Sequence, residues 1–367
     1  MRAVVMDRIG GALEVREVPD PAPPAGGVVV EVRATGLCRS DWHAWAGHDD
    51  ITLPHVPGHE LAGVVVAVGS GVSQWAAGDR VTVPFAEGCG RCEWCRSGDA
   101  QVCPQQKQPG FTHWGSFADY VALYAADANL VAIPPSVSFE AAASLGCRFA
   151  TAYRALTGRA RLAAREWVTV VGAGGVGLSA VMIAKAAGAR VIAVDRHVGA
   201  LDVAKALGAD HVVVSGARDA CGGGEAEDVP ARVHELTGGG SHVAVDAVGS
   251  EETCADSILS LRRRGRHVQV GLLPAVDGRQ PRVPMGRVIG WELDVLGSHG
   301  MAAADYPGML TLIERDELRP HELIEQIVGL DDAAGLLPAF DHASPAGMTI
   351  IDPRRVPTLP GGVARTA

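Results

Sequence analysis

Four cysteines, Cys89, Cys92, Cys95 and Cys103, are spaced C-x2-C-x2-C-x7-C, close enough along the chain for four thiolates to converge on one ion. Four thiolates at the corners of a tetrahedron form the closed shell of a structural zinc, with no position left for a substrate. Gly88, Gly90 and Gly98 supply the flexibility such a knuckle needs, and Pro104 fixes the exit. Two disulfides are the alternative, disfavoured because two-residue gaps force strained rings and because a reducing compartment keeps thiols apart. A second pattern, Gly172-Ala173-Gly174-Gly175-Val176-Gly177, matches G-x-G-x-x-G. It stands between the apolar run Trp167-Val168-Thr169-Val170-Val171 and a helical stretch, the context in which such a turn admits a pyrophosphate at a helix N-terminus. Asp195 closes the next apolar run, 18 residues after Gly177. A carboxylate there binds both ribose hydroxyls and repels a 2′-phosphate, so NAD is the expected cofactor. Arg196 keeps NADP as the alternative, since an arginine beside that ribose neutralises the added charge. A strand-ending turn residue is the alternative reading of Asp195.

The elements that position these residues change character along the chain. Up to about Cys147, short runs such as Val28 to Arg33, Gly63 to Val68 and Arg80 to Pro84 are punctuated by Pro and Gly turns, which points to a β-rich unit. From about Ala150, runs at Trp167 to Val171, Arg190 to Val194, His211 to Val214, His242 to Val248, His267 to Val270 and Leu293 to Leu296 alternate with helical segments. Nearly continuous hydrophobic strands suit a parallel sheet covered on both faces, so this part reads as a doubly wound α/β domain. After about Gly297 the pattern loosens. Pro320 to Leu337 reads as one helix, Met348 to Ile351 as a last strand, Cys221 to Glu225 as a surface loop, and Pro357 to Ala367 as a tail outside any core.

The chain has 367 residues, 47% hydrophobic and 20% charged, enough for large cores and for two domains. Against 42 acidic residues stand 32 Lys and Arg, a net charge of −10 with no block of basic residues, which argues against nucleic-acid or anionic-membrane partners. The N-terminal Met1 to Asp7 reaches an acid after one short apolar run, unlike a secretory leader, and no run is long enough to span a bilayer. A cytoplasmic location is expected, where cysteines serve as metal ligands more often than as disulfides.

Two further segments become specific only in combination. Cys38 lies in Cys38-Arg39-Ser40-Asp41-Trp42-His43, and His59 in Pro57-Gly58-His59-Glu60-Leu61-Ala62-Gly63. Taken singly, each is an ordinary buried residue. With Leu145-Gly146-Cys147 they resemble the zinc-dependent alcohol dehydrogenases of the medium-chain dehydrogenase/reductase family. The resemblance runs in the same order from Met1 to about Asp352. It is close to the yeast-like branch across Asp41-Trp42-His43-Ala44-Trp45 and Gly110-Phe111-Thr112-His113-Trp114-Gly115-Ser116-Phe117.

The resemblance implies a GroES-like β-rich catalytic domain over residues 1–148 with a structural zinc lobe at about 86–105. It further implies a Rossmann NAD-binding domain over 149–295, and a return to the catalytic domain with a C-terminal tail over 296–367. It also implies that Cys38, His59 and Cys147 hold a catalytic zinc with water in the fourth position, making two zinc ions per chain with the cysteine knuckle. A bound alcohol loses its proton more easily there, because the cation stabilises the alkoxide. Locally, Cys147 also reads as a small core residue opening a helix. Asp41 resembles the carboxylate that fixes the tautomer of the zinc-bound imidazole, and a loop cap is its alternative. Glu60 lies near the metal in the family; sequence alone makes it a surface acid. Ser40 and His43 match a proton relay that runs through the cofactor ribose to water, although a serine in a turn is commonly a local backbone partner.

Val270, Leu272 and Ser298 resemble segments that approach the nicotinamide, and Trp45, Phe85, Trp114 and Phe117 fall near the substrate channel, although aromatic residues are commonly core. The implied reaction is reversible oxidation of a small primary or secondary alcohol to an aldehyde or ketone. The alternatives are a relative acting on a polyol or biosynthetic intermediate, and a non-catalytic protein that kept the fold. The family forms homodimers or homotetramers. Arg148 is bulky and charged where many relatives carry a small residue, and neither Cys221 nor Cys254 has an assigned role.

Overall fold

A computed structural model describes residues 1–216, 227–275, 278–340 and 347–355. Cys221 and the tail from Pro357 lie outside the described residues. Residue contacts divide the chain into two compact units, one of Met1–Gly146 with residues 324–340 and 348–355, the other of Cys147–Leu323.

The first unit is built on the strand Val28–Leu37, whose β-branched run suits a pleated, half-buried surface. It pairs antiparallel with Glu60–Val68, Tyr120–Leu123 and Met348–Ile351, while Arg80–Thr82 and Val131–Ala132 extend one side and Ile324–Val328 the other. Register decides what this sheet positions. Gly36 lies opposite Glu60 and Thr35 opposite Leu61, so Cys38, just past the end of one strand, and His59, just before the start of the next, emerge at one end of the sheet. A second core covers the hairpin Arg2–Met6 and Leu13–Glu17 with Val56, Phe117, Leu330 and Leu337.

The second unit holds six parallel strands in the order His211–Val214, Arg190–Asp195, Trp167–Val171, Ser241–Asp246, Leu261–Gln269 and Asp294–Gly297. The order reverses between Trp167–Val171 and Ser241–Asp246, and beyond the carboxyl ends of such strands lies the crevice in which doubly wound sheets bind ligands. The turn Gly172 to Gly174 and the helix Gly175–Ala186 begin at that point.

Two expectations shift. Pro320 to Leu337 is a 3-10 turn at Pro320–Leu323, a strand at Ile324–Val328 and a helix at Leu330–Ala339. The strand gains ladder bonds from Met348–Ile351, and Gly329 breaks it and caps the helix, its N–H donating to Asp332 at 3.1 Å. The return to the first unit comes at Ile324 and not at residue 296, because Asp294–Gly297 completes the parallel sheet and Tyr306–Glu314 then buries Tyr306, Met309 and Leu310 in the second unit.

The glycines of the nucleotide turn serve different ends. Gly172 has φ of +96°, which favours glycine. A Cβ on Gly177 would stand 1.7 Å from the Gly172 carbonyl oxygen, whereas one on Gly174 would meet nothing within 4 Å. We therefore expect Gly177→Ala to lose about 2 kcal/mol or more of stability in urea denaturation, and Gly174→Ala to stay within about 1 kcal/mol. Equal stability of the two variants would contradict this packing.

Candidate active site and metal centres

The ligating atoms of Cys38, His59, Glu60 and Cys147 all lie within 4.8 Å of one another. Cys38, His59 and Glu60 are buried, so Glu60 is not a surface acid. The helix Arg39–Trp45 begins at Cys38, and its third residue, Asp41, reaches back to accept the Cys38 N–H at 3.0 Å. The other oxygen of Asp41 accepts the Gly58 N–H at 3.1 Å and faces His59 Nδ1 at 2.8 Å. One fully buried carboxylate thus ties both segments together. Gly58 has φ of +105°, and a Cβ there would lie 2.5 Å from the Phe117 ring. Cys147 follows Gly146, whose carbonyl accepts the Phe85 N–H at 3.0 Å. A Cβ on Gly146 would stand 3.0 Å from Glu60 Cα, so the absence of a side chain lets this segment run close against the His59 loop.

With Nδ1–H donated to Asp41, His59 presents its Nε2 lone pair, and that atom is buried with no hydrogen-bond partner. Burial pushes the His59 imidazole toward neutrality, but the charge of Asp41, the hydrogen bond to it and the nearby Cys38 outweigh it and hold the pKa well above the ordinary value. A site that draws a proton this strongly has a negative potential, and two thiols with a bare imidazole nitrogen form a donor set suited to zinc. Phe85 and Phe111 pack against His59 with ring centroids 6.2 and 5.3 Å away.

Ser40 Oγ is 3.8 Å from Cys38 Sγ. His43, on the same helix, has its Nδ1 2.8 Å from Nδ1 of His48. Burial, then His48 and Arg39, lower the His43 pKa.

Phe117 is fully buried in the core with Val4 and Val56, where it closes over Gly58. Trp45 packs against the same core and donates its indole N–H to the Gly11 carbonyl at 2.8 Å, a brace for the hairpin. Trp114 is exposed and donates to the Pro54 carbonyl at 2.9 Å. Nothing in local spacing marks the contacts of Phe111 or His48, although Phe111 lies within the Gly110 to Phe117 segment that resembles the family.

In the cysteine knuckle, Cys92 Sγ is 3.5 Å from Cys95 Sγ and 3.7 Å from Cys103 Sγ, and Cys89 Sγ is 4.0 Å from Cys95 Sγ. Four sulfurs each at 2.3 Å from one metal would stand about 3.8 Å apart. Among the described residues no cysteine is disulfide-bonded. The Cys103 sulfur accepts N–H groups from Cys89 at 3.4 Å and Gln105 at 3.3 Å. Backbone N–H groups, chiefly that of Arg91, lower the Cys89 thiol to about 6, while burial and the neighbouring Cys92 push Cys95 up to about 12. Asn129 fixes the entry, exchanging two hydrogen bonds of 2.8 Å with Gly88.

In the second unit, Asp195 accepts the Ala173 N–H at 2.6 Å and the His197 N–H at 2.9 Å, so the carboxylate closing one strand holds the Gly-rich turn that follows the neighbouring strand Trp167–Val171. Arg196 donates to His197 Nε2 at 3.0 Å. Val270, Leu272 and Ser298 follow the carboxyl ends of their strands, on the same edge as the Gly172 turn. Leu272 is exposed and the Ser298 hydroxyl is buried without a hydrogen-bond partner. Arg148 is buried, with Cδ 2.5 Å from where a Gly175 Cβ would lie. Cys254 is buried, and burial and Asp246 raise its thiol to about 11, in keeping with a core residue.

Residues 24–135 match the alcohol dehydrogenase GroES-like domain family, and residues 175–315 the zinc-binding dehydrogenase family. An alcohol dehydrogenase from Geobacillus stearothermophilus is 39% identical over 279 residues, 75% of this chain and 78% of that protein. A second from the same organism is 34% identical over 325 residues, 87% of this chain and 90% of that one. A crystal structure of an NAD-dependent alcohol dehydrogenase superposes with a TM-score of 0.83 at 33% identity, covering 96% of this chain and 99% of the other.

Asp41→Asn removes the charge that holds the His59 tautomer, while its size is kept. It is expected to weaken metal retention at the Cys38, His59 and Cys147 cluster by roughly 10- to 100-fold, measured by competition with a chelator. Zinc in the four-cysteine knuckle should be unaffected. Unchanged retention at both sites would contradict the role given to the carboxylate.

Proposed function

The chain belongs to the zinc-binding alcohol dehydrogenases with a GroES-like domain and a Rossmann domain, NAD-dependent oxidoreductases that oxidise alcohols, and from that premise we propose which residues carry the reaction. Cys38, His59 and Cys147 hold the catalytic zinc, with Glu60 as a further carboxylate beside it. Cys89, Cys92, Cys95 and Cys103 hold the structural zinc. The observation that carries this reading is the convergence of three chain segments on one point, where a buried His59 Nε2 has no hydrogen-bond partner.

Zinc bound there supplies Lewis acidity that favours the alkoxide near neutral pH. NAD, when bound, supplies the hydride acceptor. The protein's own part is placement and proton handling. Asp41 holds His59 in the tautomer that ligates. Phe85 and Phe111 make the surroundings of His59 apolar, which suits a small aliphatic or aromatic alcohol better than a polyol. Ser40 Oγ, beside Cys38, both donates and accepts, so it takes the alcohol proton, and His43 Nε2 receives it on its way to water. Asp195 selects NAD over NADP by repelling a 2′-phosphate. The contact of Arg196 with His197 engages the group that would otherwise favour NADP. Gly172, Gly174, Gly175, Val176 and Gly177 cradle the pyrophosphate, and Val270, Leu272 and Ser298 flank the nicotinamide.

The same reading places the chain in the cytoplasm, where its thiolates stay reduced. No helix among the described residues is long and apolar enough to cross a membrane. A homodimer or homotetramer joined through the second unit is supported by exposed Met285, Ile289 and Val295, on and beside the edge strand Asp294–Gly297.

Removing several kcal/mol of Lewis-acid stabilisation corresponds to roughly a thousandfold in rate. His59→Ala is therefore expected to lower kcat/KM for alcohol oxidation, followed by NADH absorbance, by about that factor. Its zinc content should fall from two to one per chain, with circular dichroism unchanged. Full activity in this variant would overturn the ligand assignment.

A further inference from the structure

The helix Arg39–Trp45 runs into a short loop that returns a second imidazole to the first. His48 donates its backbone N–H to the His43 carbonyl at 2.9 Å, and the two Nδ1 atoms stand 2.8 Å apart. Trp42 meets both rings edge-on, at 5.1 and 5.4 Å, and the Arg39 guanidinium lies 4.7 Å from the Trp42 ring centre. His43 is half-buried, whereas His48 is exposed.

Two nitrogens this close hold one proton between them, so two neutral imidazoles must adopt opposite tautomers. If His43 donates Nδ1–H to His48, then His43 Nε2 carries the lone pair and His48 carries its other proton on Nε2, toward water. We propose that His48 is the exit group of the proton path, a proton-transfer residue acting through His43; the inference rests on the role given to His43 above.

The transfer balances without charging either ring. An N–H bond forms at His43 Nε2 as the incoming proton arrives. The Nδ1–H bond of His43 breaks and one forms at His48 Nδ1. The Nε2–H bond of His48 breaks and its proton joins water. One proton enters and one leaves, and both rings end in the opposite tautomer; the pair resets after product leaves, when His48 Nε2 takes a proton from water, the shared proton returns to His43 Nδ1 and His43 Nε2 gives its proton to water. The surroundings favour such a concerted path over a resting imidazolium. The groups facing His43 are Arg39 on its own helix, Cys38 at that helix's start, and His48 and Asp49 from the loop. Burial, His48 and Arg39 disfavour a positive His43, and Asp49 and Cys38 only partly offset them.

The test replaces His48 by Gln, which hydrogen-bonds but cannot hand on a proton. His43→Gln serves as the control. In His48→Gln, kcat/KM for alcohol oxidation should fall about tenfold below about pH 7, within the range general acid–base catalysis supplies. The loss should diminish as pH rises and be reversed by added imidazole, with NAD affinity from fluorescence titration unchanged. Selective 15N-histidine NMR of the cofactor-free protein should show one shared Nδ1 proton in the parent and none in the variant. A parental pH profile in His48→Gln alongside a slowed His43→Gln would overturn the exit role and leave the relay intact. A pH-independent loss that imidazole does not rescue would also overturn it, as a packing effect. Parental rates in both variants would remove the relay itself.

Discussion

A single buried carboxylate holds the proposed metal cluster together. Asp41 has no exposed surface and accepts from the Cys38 N–H, the Gly58 N–H and His59 Nδ1. Hydrogen bonds to a charged group contribute about 1.5–3 kcal/mol each, and an unpaired buried charge is strongly destabilising. The carboxylate is therefore stable only while all three donors surround it, and they do so only when both ligand-bearing loops are in place. Bringing Cys38 and His59 together and satisfying Asp41 are the same event, so these two residues are placed together by the protein itself. That fits the potential the site creates, in which His59 is drawn toward the charged form despite complete burial.

What brings those loops together is sheet register. Antiparallel pairing of Gly36 with Glu60 places residues 38 and 59 side by side although 20 residues separate them in sequence. A one-residue slip would turn every side chain of the strand to the other face, and the alternating valines of Val28–Leu37, buried against Leu61, Val65 and Val121, oppose it. The parallel sheet of the second unit achieves a similar precision differently. All its strands end on one edge, so the Gly172 turn and Asp195 meet without any long-range loop.

The parts of this arrangement that could be read from sequence are those with short, local signatures. The cysteine spacing specifies a knuckle because all four cysteines lie within one loop, and the glycine fingerprint is legible because a strand and a helix flank it. Cys38, His59 and Cys147 are visible only by resemblance, since no local rule joins residues so far apart. The aromatic residues show the limit. Phe85 and Phe117 look alike as sequence, yet one packs on His59 and the other fills the core, because the difference lies in which turn of the chain covers Gly58. The contact between His43 and His48 eluded sequence reading for a related reason. It depends on how the helix ends, with Gly47 at φ of +85° turning the loop back, and a spacing of five residues has no fixed meaning outside regular structure.

The glycine fingerprint also shows why a motif should be resolved residue by residue. Gly172 is required by backbone conformation and Gly177 by the approach of helix to strand, while Gly174 faces open space, which leaves room for the dinucleotide of the proposed function. Gly175 belongs to none of these classes. A side chain there would meet the buried stem of Arg148, with Cδ at 2.5 Å and the guanidinium nitrogens Nη1 and Nε at 3.3 and 3.4 Å. The third glycine of the turn, Gly175, is thus paired with an arginine 27 positions earlier in the chain, and each residue makes the other possible: a bulky cation fits beside this helix N-terminus because the helix offers no Cβ. Such a cation opposes the positive end of the helix dipole, so its retention at a nine-tenths buried position means that the surrounding interactions outweigh that repulsion. Substituting either residue alone changes the shape on which the other depends, which makes Gly175 and Arg148 a coupled pair whose effects on stability should not add.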